Sequence, residues 1–206
     1  FMSCNNNMQS FLEDAAAKYM TLSGCGHLRK VTTPFLEDYD PNAPTVNAQS
    51  VGKGAHAAGG PPVDNVGDGE LKHCAASVLM KLLYCARMCR YDFLHPIGRL
   101  ACLVNKWDQH CDRMLHRLMC YANCTLHIRK VAWVGDDKAD SGVHLYADAD
   151  FAGCRRTGRS TSGGFLCMGG PDTFFPIQAI SKKQTAVSHS TPEAEIVAAD
   201  LAVRTI

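Results

Sequence analysis

The chain has 206 residues, of which 46% are hydrophobic, 20% charged and 8% aromatic. That is enough apolar mass for a core in one domain or two small ones, and too much for a wholly disordered polypeptide. Twenty-one basic and 20 acidic residues leave a formal charge of +1, so the average selects no partner. The distribution says more, because residues 71–130 carry ten Lys and Arg against three acids (Asp92, Asp108, Asp112), a local balance of +7, with five histidines besides. No run approaches the roughly 18 apolar residues of a membrane span, and the polar start Ser3-Cys4-Asn5-Asn6-Asn7 shows no secretory pattern. Eleven cysteines without a small-scaffold framework read as reduced thiols. The expectation is an intracellular chain, cytoplasmic or nuclear, with no membrane partner. Phe1 stands where a reading frame would place Met, so the chain reads as a piece of something longer.

Residues 8–22 place Met8, Phe11, Leu12, Ala15, Ala16, Tyr19, Met20 and Leu22 at helical spacing, which predicts one amphipathic helix. Residues 36–70 hold six glycines, four prolines and six acids against Lys53 alone, and read as a flexible linker. Residues 71–140 form a helical connection block. Within it 75–88 is nearly all apolar, and Leu103, Val104, Trp107, Cys111, Leu115, Leu118, Met119 and Ala122 keep to one face, which predicts two or three packed helices broken near Asn105. Residues 141–206 change period. A strand is expected over 144–148, a cation-rich turn over 153–158, and two further strands over 164–168 and 174–180 joined by Gly169-Gly170-Pro171-Asp172. A helix then opens at Ser190-Thr191-Pro192-Glu193, with Ile196, Ala199 and Val203 as its apolar face. Residues 1–35 complete the division as a helix followed by an extended segment. The expected class is α/β (α+β), a helical block followed by a three-stranded sheet with a C-terminal helix.

Chemistry is expected at Asp148 and Glu195. Tyr146 and Asp148 share one side of the first strand, opposite Leu145 and Ala147, and Glu195 near the first turn of the last helix can face Asp148 across the sheet. Carboxylates gathered in this way need a cation, and two Mg²⁺ ions about 4 Å apart suit phosphodiester hydrolysis. On spacing alone, a solvated strand Asp and a dipole-stabilising helix Glu explain the pair better.

The segments Tyr146-Ala147-Asp148-Ala149-Asp150-Phe151-Ala152-Gly153, Arg159-Ser160-Thr161-Ser162-Gly163-Gly164, Ser181-Lys182-Lys183-Gln184 and Val187-Ser188-His189-Ser190-Thr191-Pro192-Glu193-Ala194-Glu195 together resemble the ribonuclease H region of copia-type LTR retrotransposon Pol polyproteins. Upstream, residues 77–84, Arg90-Tyr91-Asp92 and 114–125 are similar to the helical tail of that family's reverse transcriptase, and Thr32-Thr33-Pro34-Phe35 resembles the segment before it. The resemblance implies a truncated ribonuclease H-like domain in which Asp148 and Glu195 are catalytic metal ligands for Mg²⁺, with Mn²⁺ as a substitute, acting on the RNA strand of an RNA–DNA hybrid. Asp150 and Glu193 would be neighbours rather than ligands. The family's site has four carboxylates and two would fall beyond Ile206, so the expectation is metal held weakly and little or no hydrolysis by this chain alone. Its partners would be the hybrid, or another nucleic acid, and the rest of the polyprotein. Phe151, Ala179 and Tyr91 stand where the family has Trp, Trp and Pro.

Three other features are weighed against bland readings. Gly135-Asp136-Asp137 is similar to a polymerase motif but follows the helical tail, so a solvated loop is expected and the polymerase site is taken as absent. Cys85, Cys89, Cys120, Cys124 and His127 have spacing compatible with zinc, yet sit among apolar residues where cysteine packs as a small hydrophobe. Trp107 and Trp133 could stack on bases, with Trp107 fitting the core stripe better. Arg155, Arg156, Arg159, Lys182 and Lys183 are the candidate phosphate contacts. The competing function is a non-catalytic nucleic-acid-binding or protein-interaction module derived from a retroelement.

Overall fold

The computed structural model describes residues 2–36, 68–154 and 157–206. Most of the stretch read as a linker lies outside the described residues, as do Arg155 and Arg156. Four helices form the larger core: α1 (Gln9–Ser23), α2 (Ala75–Met88), α3 (Leu94–Ala101) and α4 (Gln109–Cys124). The predicted break is a 3-10 turn at Val104–Lys106. Leu12, Tyr19, Leu79, Leu82, Phe93, Leu115 and Leu118 meet inside this bundle, as the 3.6-residue spacing requires. Trp107 is core, 1% exposed, and its indole N–H donates to Asp112 Oδ1 at 2.7 Å. Asp112 also accepts from the backbone N–H groups of Glu70 and Leu71, and Asp108 caps α4 by accepting from Cys111 N at 2.8 Å.

The remaining elements form one antiparallel sheet of five strands among the described residues. These are β1 (Met2–Asn6), β2 (Lys130–Val134), β3 (Gly142–Cys154), β4 (Arg159–Gly170) and β5 (Thr173–Lys183), in the order β1-β2-β5-β4-β3. The three expected strands are the meander β3-β4-β5, and the sheet is wider by two. β2 falls inside the block read as helical. Its Val131, Trp133 and Val134 favour a pleated surface, but five residues are too few to declare a period. β1 has no apolar alternation at all, and pairing with β2, from Met2 opposite Val134 to Asn6 opposite Lys130, holds it in place.

The final helix, α5 (Thr191–Thr205), starts where expected: Ser190 Oγ accepts from Glu193 N, and Pro192 lies in the first turn. Its buried face differs from the expected one. Ala194, Ala198 and Ala202, spaced by four, are fully buried, whereas Ile196 and Val203 are 70% and 72% exposed. Alanines let the helix lie close on a strand floored by Gly164, where a Cβ would already come within 3.0 Å of Ile206. The rotation is held by Gln184, whose side-chain amide donates to the carbonyl of Ala194 and to Ser162 Oγ, both at 3.0 Å. No helix of the described residues is long and apolar enough to cross a membrane.

Candidate functional site

Strand register decides where each candidate side chain points. Tyr146 pairs with Phe165, Ala147 with Gly164 and Asp148 with Gly163, without a break. Directly opposed residues share a face, and successive residues alternate. Ser162 is tied through Gln184 to α5, and Gly164 lies under the end of that helix, so both look towards α5. Gly163 and Phe165 therefore look away, and Asp148 and Tyr146 look away with them.

The expected alternation of Tyr146 and Asp148 against Leu145 and Ala147 is thus present, but its corollary is overturned. The helix bearing Glu195 lies on the Ala147 side, so Asp148 and Glu195 occupy opposite sides of the sheet. They do not fit a shared Mg²⁺ or Mn²⁺, and no catalytic step runs through one here. The physical reason is that α5 docks by its alanine stripe and Gln184, on the face of Ser162 and Gly164. Among the described residues, no three His, Cys, Asp or Glu side chains gather within metal-holding reach. The two neighbours act locally. Asp150 folds its carboxylate over Gly153, filling the space a Cβ there would need, and Glu193 Oε2 accepts from His189 N at 2.7 Å ahead of α5.

The described candidate cations do gather at one end of the meander. Arg159 pairs with Cys154, Lys182 with Ser162 and Lys183 with Thr161. The two lysines consequently leave opposite faces, Lys182 on the α5 side and Lys183 on the other. Lys183 Nζ lies 2.8 Å from Cys154 Sγ. Burial pushes that thiol up, but hydrogen bonds from Lys183 and Thr157, together with the lysine charge, outweigh burial and hold it at about 7. Cysteine reactivity follows the thiolate population, offset by the weaker nucleophilicity of a low-pKa thiolate. Iodoacetamide at pH 7 is expected to modify Cys154 about threefold faster than an ordinary exposed thiol, and Lys183→Met should abolish the advantage; mass spectrometry of Cys154 against exposed Cys4 and Cys102 reads this out. The pairing had no local signal, since its members lie 29 residues apart.

The remaining candidates serve packing. Cys85 and Cys89 are both buried, and a hydrogen bond between them raises the Cys85 thiol and lowers that of Cys89. Cys120 Sγ contacts His116 Nε2 at 3.4 Å, and His116 Nδ1 shares a hydrogen bond with Tyr19 OH at 3.1 Å. Cys124 Sγ donates to the Arg29 carbonyl. In the loop between β2 and β3, Thr173 Oγ1 accepts from Gly135 N and Asp136 N, while Asp136 Oδ2 accepts from Asp172 N at 2.8 Å. That aspartate clamps a turn to the β4–β5 connection. No protein family, curated protein or solved structure matches this chain.

Proposed function

We propose that this chain is a piece of a copia-type retrotransposon Pol polyprotein, the helical tail of a reverse transcriptase joined to a partial ribonuclease H-like domain, and that it holds nucleic acid without cleaving it. Support for the family reading is the placement of its four motifs. They fall in order on β3, β4, the end of β5 and the start of α5, so each lies on a separate element of one meander-plus-helix unit. The observation that carries the non-catalytic part is the sheet standing between Asp148 and Glu195. The binding part rests on Arg159, Lys182 and Lys183 at one end of that unit, where each phosphate contact adds sequence-independent, salt-dependent affinity.

Incubating the chain with a labelled RNA–DNA hybrid and Mg²⁺ or Mn²⁺ tests both halves. Cleavage is expected to be no greater than for Asp148→Asn, while binding falls as salt rises. Replacing Arg159, Lys182 and Lys183 by alanine together should reduce the log–log salt slope by about 2 to 3. A flat salt response removes the nucleic-acid role, and metal-dependent cleavage abolished by Asp148→Asn restores the hydrolase.

A further inference from the structure

The sheet has two open edges among the described residues, and they differ. β1 offers five residues, short enough to recruit little. β3 is the other edge, and it pairs with β4 in unbroken register from Gly142 to Asp150, nine residues or about 30 Å of strand. Every second residue of that run turns its backbone N–H and C=O away from β4, where no described strand receives them. Lysines, prolines and bulges, which commonly block pairing at an edge, are missing from the run. Residues 142–150 contain no Lys, Arg or Pro. The irregularity comes only after Asp150, where Ala152 takes a φ of 54° and the strand bends. Val143 and Tyr146 are 71% and 58% exposed, so the run is a template for a further strand.

The side chains of the run are complementary to themselves. His144, Tyr146, Asp148 and Asp150 share the face turned away from α5, by alternation. Let two copies of β3 run antiparallel about a two-fold axis through Tyr146, perpendicular to the sheet. Then Gly142 faces Asp150, Val143 faces Ala149, His144 faces Asp148, Leu145 faces Ala147, and Tyr146 faces its own copy. This register uses the whole regular run and sets an imidazole against a carboxylate at two places, while the opposite face brings together only Val, Leu and Ala. His144 already stacks on Tyr146, with centroids 6.4 Å apart and planes inclined by 17°, so the paired tyrosines would prolong a row of rings across the seam. Neighbouring registers are poorer. An axis at Leu145 loses both pairings of imidazole with carboxylate, one at Ala147 draws in the bend at Ala152, and one at Asp148 sets two carboxylates face to face. Lys183 shares the face of Asp148 but stands two strands inward on β5, bonded to Cys154 Sγ. We propose that the edge of β3 joins a second copy of this chain in the Tyr146-centred register, uniting two five-stranded sheets with both copies of α5 on one side.

Sedimentation equilibrium of the full chain under reducing conditions is expected to show the mass rising from 22.4 kDa towards twice that value as the concentration approaches about 100 µM, the range open to a small interface. Tyr146→Lys places two ammonium groups directly opposite each other and should weaken association about tenfold; the side chain is exposed, so the fold survives. His144→Asp sets acid against acid and should weaken it about fivefold. Adding Asp148→His to that variant exchanges the partners and should restore the parent's affinity, a rescue that a folding defect would not give. Register is read by crosslinking. With oxidised glutathione as acceptor of two electrons and two protons, Tyr146→Cys should form a disulfide joining position 146 of two chains, found by mass spectrometry of the linked peptide. Val143→Cys, which faces Ala149, should not. A chain that stays at 22.4 kDa, a dimer unmoved by Tyr146→Lys, or a crosslink as ready from Val143→Cys as from Tyr146→Cys would overturn the proposal. The seam uses none of Arg159, Lys182 and Lys183, so it does not rest on the nucleic-acid reading, and either can fail without the other.

Discussion

Replacing Arg90 with alanine is expected to lower stability by about 3 kcal/mol, which in a chain of this size corresponds to a fall in Tm of roughly 6 to 12 °C. Arg90 is 1% exposed at the exit of α2. Its Nε and Nη2 grip both oxygens of Asp92 at 3.0 and 2.7 Å. Nη1 and Nη2 donate to the Thr125 carbonyl and hydroxyl at 2.8 and 2.7 Å, tying α2 to the end of α4. The guanidinium carbon also lies 4.1 Å from the centroid of Phe93. Truncation removes the bidentate pair, both bonds to Thr125 and the packing of the stem at once. Asp92 keeps about a third of its side chain in water, so its stranded charge is partly hydrated and the loss sits at the low end for a broken buried pair. Lysine should recover only part of the stability, because one ammonium cannot reproduce the planar fork. Thermal melts of Arg90→Ala, Arg90→Lys and the parent decide the matter; an alanine variant within 1 kcal/mol of the parent would show that the buried cation contributes no more than a surface pair.

The helical core was legible because its signal is local. Leu115, Leu118, Met119 and Ala122 repeat at the helical period, and Trp107 continues their stripe into the break before α4. Ser190 with Pro192 likewise marked the start of α5 in four consecutive residues. What was not legible depends on partners distant in the chain. Residues 2–6 are a strand because residues 130–134 pair with them, and nothing in Cys4-Asn5-Asn6 says so. The buried face of α5 is not legible locally, because Ile196 and Val203 outrank alanine in hydrophobicity, whereas the close approach to the strand at Gly164 favours the small side chains of Ala194, Ala198 and Ala202. The candidate metal pair failed for a related reason. Alternation along β3 settles the side on which Asp148 stands, but the side that receives α5 is decided by Ser162, Gly164 and Gln184.

Gln184→Ala should detach α5 from the sheet at a cost of about 3 kcal/mol, the sum of lost hydrogen bonds and a small void. Gln184 is buried, and its amide is engaged by groups from two elements and the segment that leads into the second. Nε2 donates to Ser162 Oγ on β4 and to the Ala194 carbonyl on α5, and Oε1 accepts from Ser188 Oγ at 3.1 Å in the connection between β5 and α5. Apolar burial is thin here, since the residues that α5 buries fully are all alanines, so a polar node carries a share of docking that leucines would otherwise supply. The loss should be local. Hydrogen exchange is expected to show the amides of α5 losing protection in Gln184→Ala while those of α4, packed in the separate helical core, keep theirs. Ser188→Ala removes a single bond of the node and should cost about 1 kcal/mol. Equal loss of protection in α4 and α5 would mean that the helical bundle and the sheet unfold as one unit. Undiminished protection of α5 would show that its alanine stripe alone suffices to hold the helix on the sheet.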